Sequence, residues 1–123
     1  MRNTTTPKPE PKKHGLEPLG DLPTNAKATA SVSGEGDDRR LRLRVEGLPD
    51  PAGDEYGVWL YSSIAEAKRL AAEPRGSFEL DAALPQGADR YRFLDVSLEP
   101  RDGNPNPSGE TVLRAPLSDL FGE

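Results

Sequence analysis

The chain has 123 residues, of which 33% are hydrophobic and 30% are charged, and it contains 12 glycines and 13 prolines. This length gives room for one ordinary domain, and the frequent Gly and Pro argue against a protein built of long helices. No apolar run approaches the roughly 20 residues that a membrane-spanning helix needs, and residues 1–25 lack the apolar core of a secretory signal. The formal net charge of -5 disfavours a nucleic-acid-binding surface.

The chain lacks the side chains on which several common catalytic and metal sites depend. It has no cysteine, which excludes disulfides, thiolate zinc sites and cysteine nucleophiles. Its single histidine, His14, lies in a Pro- and Lys-rich segment, so neither a serine triad nor a multi-histidine metal site can be assembled from this chain. None of these chemistries is therefore expected, and the sequence offers no catalytic residue, cofactor-binding residue or metal ligand of these kinds.

Residues 1–25 are predicted to form a Pro/Lys-rich flexible tail, and residues 26–123 are predicted to form the folded domain. Prolines alternate with charged residues from Pro7 to Lys13, and such a sequence favours extended, solvated conformations over packing. Three leucines of the tail give it one apolar edge that could lie on the domain: Leu16, Leu19 and Leu22.

Alternation of apolar and polar residues predicts two strands directly after the tail. Residues 26–33 alternate Ala or Val with Lys, Thr and Ser, and residues 40–46 alternate Leu or Val with charged residues. Because successive side chains of a strand point to opposite faces, Leu41, Leu43 and Val45 are predicted to face a core. The row of arginines between them, expected to face water, comprises Arg40, Arg42 and Arg44.

Residues 56–61 form the most apolar short run and are predicted to be a central strand. Trp59, the only tryptophan of the chain, is expected to anchor the core. Ser63 and Glu66 then have the spacing of a helix capping box. The alanines and the leucine that follow predict one short helix, which ends near Pro74.

Three further strands are predicted over residues 77–80, 91–99 and 111–115. Six to seven short strands separated by turns indicate a mainly β fold, an antiparallel, immunoglobulin-like β-sandwich with one short helix and a disordered N-terminal tail. The residues predicted to carry the structural core are Leu43, Val45, Val58, Trp59, Leu60, Val96 and Leu98.

The loop that follows the strand at 91–99 is the candidate partner-binding loop, because loops on a rigid sandwich often carry recognition. It begins with the D-x-N-x-N spacing of a calcium loop, but Pro107 stands where the glycine is required and Leu113 where the bidentate glutamate belongs. A turn stabilised by Asp and Asn side chains is the simpler interpretation. The candidate residues are Asp102, Asn104, Asn106, Ser108 and Glu110.

Asp95 and Glu99 raise an alternative, a small carboxylate-dependent hydrolase, or a calcium-assisted glycan-binding module that also uses Asp102 and Glu110. The first two lie four residues apart on one strand face, so their Cα atoms would be about 13 Å apart at the usual strand rise. The paired carboxyl groups of glycosidases are separated by only about 5 to 9.5 Å, which weakens the hydrolase alternative. The polar face of a strand is the simpler interpretation.

Four segments, taken in order, resemble a known family. They are L-R-L-R-V-E-G-L-P at 41–49, Y-G-V-W-L-Y at 56–61, R-Y-R-F-L-D-V-S-L-E-P at 90–100 and D-G-N-P-N-P-S-G-E-T-V-L-R at 102–114. In the C-terminal domain of actinobacterial anti-sigma factors of the anti-sigma-K type, a strand ending in G-L-P and a Y-x-V-W-L strand recur in this order. A V-S-x-E-P strand, a P-x-x-S-G turn and a V-L-R strand follow them. The resemblance covers about residues 26–118.

The resemblance implies a β-rich, extracytoplasmic, non-enzymatic domain that regulates transcription through signalling or sensing. In that family a membrane span joins the domain to a cytoplasmic segment that sequesters a sigma factor, and proteolysis of the anchor releases the sigma factor. This chain contains neither the sigma-binding helices nor the span. The resemblance therefore implies either a fragment of a longer anchored protein or a free-standing relative, soluble as an isolated chain. It also implies a protein partner, with the sigma factor itself bound by a segment outside this chain.

Overall fold

The computed structural model describes residues 14–18, 26–34, 38–101 and 108–120. Within these ranges the bounds are β1 His14–Gly15, β2 Glu17–Pro18, β3 Lys27–Ser33, β4 Arg40–Glu46, β5 Glu55–Ser63, β6 Glu66–Glu73, β7 Phe78–Ala83, β8 Phe93–Glu99, β9 Thr111–Pro116 and α1 Leu117–Leu120. A single turn of 3-10 helix, Ala88–Arg90, precedes β8. No helix in the described ranges is long and apolar enough to cross a bilayer.

The strands form two antiparallel sheets. One contains four strands in the order β1-β3-β4-β7, and the other contains five strands in the order β2-β9-β8-β5-β6. Seven of the strands have six residues or more. One buried apolar cluster draws residues from both sheets. This architecture confirms the predicted mainly β fold and the antiparallel β-sandwich.

Alternation along β4 places its apolar side chains between the two sheets. Leu41, Leu43 and Val45 are buried, whereas the charged residues that separate them are exposed. The second sheet supplies the facing residues of the cluster: Val58, Leu60, Leu94, Val96 and Leu113. Removal of this apolar surface from water, at about 25 cal/mol per Å², is the main contribution to the stability of such a fold.

The prediction of a helix after Ser63 is wrong, because Glu66–Glu73 forms strand β6 and pairs with β5. Ser63 Oγ does accept the backbone N–H of Glu66 at 3.1 Å, but the bond closes the two-residue turn of a β-hairpin and does not begin a helix. Pairing along the length of β6 outweighs the helix preference of its alanines. The short helix lies instead at Leu117–Leu120, with both leucines buried.

Residues 14–18 lie within the segment predicted to be a flexible tail, yet they form β1 and β2. β1 pairs with β3 of the four-stranded sheet, and β2 pairs with β9 of the five-stranded sheet. Between the two strands Leu16 is only 7% exposed. The folded part of the chain therefore includes residues that precede 26, and strands of two residues are too short for periodicity to reveal. Leu19 and Leu22 lie outside the described residues.

Candidate functional site

The outer face of the five-stranded sheet carries a buried cluster of polar side chains around Trp59. Val58 and Leu60 point into the core between the sheets, so Trp59 between them points to the opposite face. Its side chain is nevertheless buried, with 1% exposure, and the guanidinium of Arg69 lies 4.9 Å from the centre of a Trp59 ring. Trp59 therefore anchors a second buried layer, outside the core between the sheets.

Ser97 and Glu99 of β8 bind the polar edge of Trp59. Trp59 Nε1 donates to Ser97 Oγ at 2.8 Å, and Ser97 Oγ donates to a carboxylate oxygen of Glu99. The same carboxylate accepts the backbone N–H of Ser108 at 3.0 Å. Because Glu99 is only 2% exposed, these bonds form in surroundings of low dielectric constant, where a charged acceptor binds its donors strongly. The network joins β5, β8 and the segment that leads into β9.

Gly57 provides the space in which this network forms. It is the ladder partner of Ser97, on the strand next to β8. A Cβ atom at this position would lie 2.5 Å from Trp59 Nε1 and 3.1 Å from Glu99 Cγ. Any larger residue would therefore displace either the indole or the carboxylate.

A second buried carboxylate, that of Asp95, is bound by two residues of β9. Asp95 is 1% exposed, and it accepts hydrogen bonds from Arg114 Nε at 2.7 Å, Arg114 Nη2 at 2.9 Å and Thr111 Oγ1 at 2.9 Å. The hydrogen bonds that Arg114 donates to Asp95 raise the pKa of the guanidinium, because they stabilise its charged form. The guanidinium also lies 4.3 Å from the ring centre of Phe93 and 5.2 Å from that of Tyr61, the geometry of cation–π contacts.

Both carboxylates hold strands together and are not open to a substrate. Within the described ranges, every buried side-chain nitrogen and oxygen has a hydrogen-bond partner. Nor do three acidic or histidine side chains of those ranges converge in a way that could hold a metal ion. The geometry of Asp95 and Glu99 thus gives no support to the hydrolase or calcium alternative, and Asp102 lies outside the described residues.

The candidate partner-binding loop is described only at its C-terminal end, because Asp102, Asn104 and Asn106 lie outside the described residues. Ser108 Oγ donates to the carbonyl oxygen of Leu98 at 2.7 Å and accepts the N–H of Glu110 at 3.1 Å. The side chain of Glu110 is exposed. The end of the loop is therefore fixed to β8, and its role in binding a partner stays a prediction.

The residues predicted to carry the core lie on two different faces. Five belong to the cluster between the sheets: Leu43, Val45, Val58, Leu60 and Val96. Leu98 is partly buried and packs against that cluster. Trp59 is buried on the opposite face of its sheet, because alternation along β5 directs it away from its two neighbours.

The arginine row of β4 lies on the outer face of the four-stranded sheet, where its residues are exposed. Arg40 Nε donates to Asp81 Oδ1 at 2.8 Å, and Arg42 Nε donates to Asp81 Oδ2 at 3.4 Å. Arg44 pairs with Glu46 at 2.9 Å. The hydrogen bond from Arg40 lowers the pKa of the Asp81 carboxyl group. Exposed pairs of this kind contribute little to stability, so this face is a solvated, charge-balanced surface.

The sequence patterns did not identify four residues of the buried polar layer on the outer face of the five-stranded sheet: Gly57, Ser97, Thr111 and Arg114. A signal for them was present, because β8 carries polar residues at three alternate positions, 95, 97 and 99, next to a strand with glycine and tryptophan at alternate positions. In this sheet the polar residues beside Gly57 and Trp59 form a hydrogen-bond network instead of a solvated surface. What brings the network together is the pairing of β5 with β8, since Trp59 and Ser97 are 38 residues apart in the sequence.

Comparison with known proteins places the chain in a family. Searches of curated proteins and of solved structures give no match. The family model described as "Anti-sigma-K factor rskA, C-terminal" matches residues 3–111, a span that contains β1 to β8 and confirms the resemblance predicted from the four sequence segments. Because this span is well over half of the chain, the chain belongs to the family of C-terminal domains of anti-sigma-K factors.

Proposed function

We propose that this chain is a non-enzymatic regulatory or sensing domain of an anti-sigma factor, through which the activity of an extracytoplasmic-function sigma factor is controlled. The observation that carries this proposal is the family match over residues 3–111. In the native protein we place the domain at the extracytoplasmic face of the membrane. Its role is in the regulation of transcription, and it depends on contacts between proteins.

The buried acidic side chains are engaged in hydrogen bonds within the domain, which supports a role in binding over a role in catalysis. The two buried carboxylates, Asp95 and Glu99, are occupied by donors from β9, from β8 and from the end of the loop. Groups held in this way stabilise one conformation of the sheet. A rigid sheet that presents loops is a common scaffold for recognition.

We propose that the partner of this domain is a protein and that it contacts the loop at 102–110. Glu99 and Ser108 fix the end of this loop to the five-stranded sheet, which lowers the entropy cost of ordering that end on binding. Direct contact with the sigma factor belongs, in this proposal, to a segment other than the β-sandwich.

The proposal is tested by a Trp59→Ala substitution in the native gene, followed by measurement of all transcripts. Loss of the folded domain is expected to raise the transcripts of one sigma factor's promoters, because in this proposal the folded domain controls the proteolysis that releases the sigma factor from its separate binding segment. Arg42→Ala is the matched control, since Arg42 is exposed on the other sheet. Unchanged transcripts in a strain in which the Trp59→Ala domain is shown to be unfolded would contradict the proposal.

The placement at the membrane is tested separately with an antibody against this domain in fractionated cells. A species larger than 13.3 kDa that sediments with the membranes is expected. A 13.3 kDa species found only in the soluble fraction would overturn the extracytoplasmic placement, and it would leave the family assignment unchanged.

A further inference from the structure

Residues 14–18, here called the strap, connect the two sheets along one side of the sandwich. His14 and Gly15 pair with Ala30 and Thr29 of β3, in the four-stranded sheet. Glu17 and Pro18 pair with Arg114 and Leu113 of β9, in the five-stranded sheet. Five consecutive residues therefore add a short antiparallel strand to each sheet in turn.

The strap covers what would otherwise be two sheet edges. Without β1 and β2, the four-stranded sheet would end at β3 and the five-stranded sheet at β9 on this side. An edge strand presents unpaired N–H and C=O groups and is a ready template for another extended chain. The strap thus occupies a strand-binding site made of backbone groups from two sheets.

Leu16 gives this site its side-chain specificity. It lies at the point where the strap crosses between the sheets, is 7% exposed, and belongs to the buried apolar cluster. Its backbone N–H donates to the carbonyl oxygen of Ala28 at 3.0 Å. The flanking residues Gly15 and Glu17 are exposed. The site therefore accepts an extended segment with one leucine at its centre.

The strap is held by fewer groups than the other strands. Each half pairs through two residues, whereas β3, β4, β5 and β8 pair along nearly their whole length. Elements with few buried contacts open locally at a lower free energy than the core of a fold. When the strap detaches, the edge of β3, the edge of β9 and the buried site that Leu16 occupied become accessible together.

We propose that this site also binds the strap of a second copy of the chain, so that two copies exchange residues 14–18. Every copy carries the segment that fits the site, and an exchanged strap restores the same backbone pairs and the same burial of Leu16 in both copies. Such exchange is a low-cost route to a dimer, and it uses the addition of a strand to a sheet edge.

Residues 19–26 join the strap to β3, and a short linker gives the intramolecular strap an effective concentration of about 1 mM. Dimers are therefore expected to accumulate at chain concentrations of that order.

The test uses two single-cysteine chains, Gly15→Cys and Thr29→Cys, in a protein that has no cysteine of its own. The two positions are ladder partners, and the Cα separation of such partners, about 4.5–5.5 Å, is within the range for a disulfide. A Cβ atom on Gly15 would lie 3.9 Å from its nearest neighbour, the carbonyl oxygen of Ala28, so the cysteine fits. One chain is labelled with ¹⁵N, the two are mixed at about 1 mM and oxidised, and the products are weighed by mass spectrometry.

Exchange predicts that the mixed disulfide between Cys at 15 and Cys at 29 exceeds both same-chain dimers at least tenfold and increases with concentration. Ser33→Cys, on the same strand but paired with Arg40 and not with the strap, is the matched control for random collision. Adding Leu16→Asp to the Gly15→Cys chain is expected to abolish the excess. The proposal would be overturned if Gly15→Cys gave no more mixed disulfide with Thr29→Cys than with Ser33→Cys. A wild-type chain that sediments as a monomer up to several millimolar would also overturn it, a measurement that needs no substitution.

Discussion

On the outer face of the four-stranded sheet, the arginines of β4 and the acids of β7 pair at the surface, with side chains between 47% and 76% exposed. On the outer face of the five-stranded sheet, Asp95, Ser97 and Glu99 of β8 occupy equivalent alternate positions, yet each is at most 2% exposed. Both faces arise from strands that alternate apolar and polar residues. The same pattern therefore gives a solvated surface on one sheet and a buried polar layer on the other.

The difference between the two faces lies in what covers them. Among the residues that the structure describes, the arginine row contacts its ion-pair partners and stays exposed. On the other sheet Arg69 lies over Trp59 of β5, while Arg114 and Ser108 bind the carboxylates of β8. A hydrogen bond or ion pair at an exposed site is worth little. The same bond at a buried site cannot be lost without leaving a polar group unpaired and without water. Substitutions on the two faces should therefore differ severalfold in their effect on stability.

The largest effect is expected for Trp59→Ala, which removes the aromatic ring on which the buried layer is built. Truncation of a buried tryptophan costs about 3–5 kcal/mol of unfolding free energy, and urea unfolding followed by circular dichroism measures it. Trp59→Phe is the matched control, because it keeps most of the packing and loses only the hydrogen bond from Nε1 to Ser97. A Trp59→Ala chain as stable as the wild type would show that this face is not a stabilising layer.

The next effect is expected for Arg114→Met, which leaves the Asp95 carboxylate buried without its bidentate partner. Breaking a buried pair by removal of one member costs roughly 3 kcal/mol. Met keeps much of the aliphatic packing of Arg, so the charge is the main change. In a double-mutant cycle, adding Asp95→Asn should recover part of the loss, since no unpaired charge then remains. Additive losses in the cycle would contradict a coupled pair.

A smaller effect is expected for Glu99→Gln, which keeps the shape of the side chain and replaces one acceptor oxygen with a donor amide. The Ser108 N–H and the Ser97 hydroxyl then compete for the single remaining oxygen, at a cost of about 1–3 kcal/mol for a buried donor without a partner. Trp59 fluorescence should shift, because Ser97 binds both groups. Amide exchange at Ser108 should accelerate. A destabilised chain with unchanged exchange at Ser108 would show that Glu99 does not fix the loop.

The sequence predicts the inner side of each sheet better than the outer side. Alternation is enough to place Leu43 and Val45 in the core between the sheets. Successive side chains of a strand point to opposite faces, so apolar residues at every second position share one face, and that face is buried. The pattern does not show whether the opposite side of the sheet is covered, because that depends on contacts between segments far apart in the sequence, such as Trp59 and Ser97. The β5–β6 hairpin illustrates the same limit, since Ser63 and Glu66 make the contact predicted for a helix cap within a tertiary setting that favours a strand.

The smallest effect is expected for Asp81→Asn on the exposed face, and its sign depends on pH. Arg40 lowers the pKa of the Asp81 carboxyl group in the folded chain, so the ionised carboxylate stabilises the fold above the ordinary Asp pKa, about 4. That contribution is lost as the pH falls through the lowered pKa. Asp81→Asn should therefore be slightly less stable than the wild type at pH 7, with the difference disappearing in strong acid. Urea midpoints measured from pH 7 down to pH 2 test this, with Arg40→Ala expected to give the same trend. A difference that persists at pH 2, or one as large as that of Glu99→Gln, would show that the Asp81 pair is more than a solvated surface contact and would remove the contrast between the two faces.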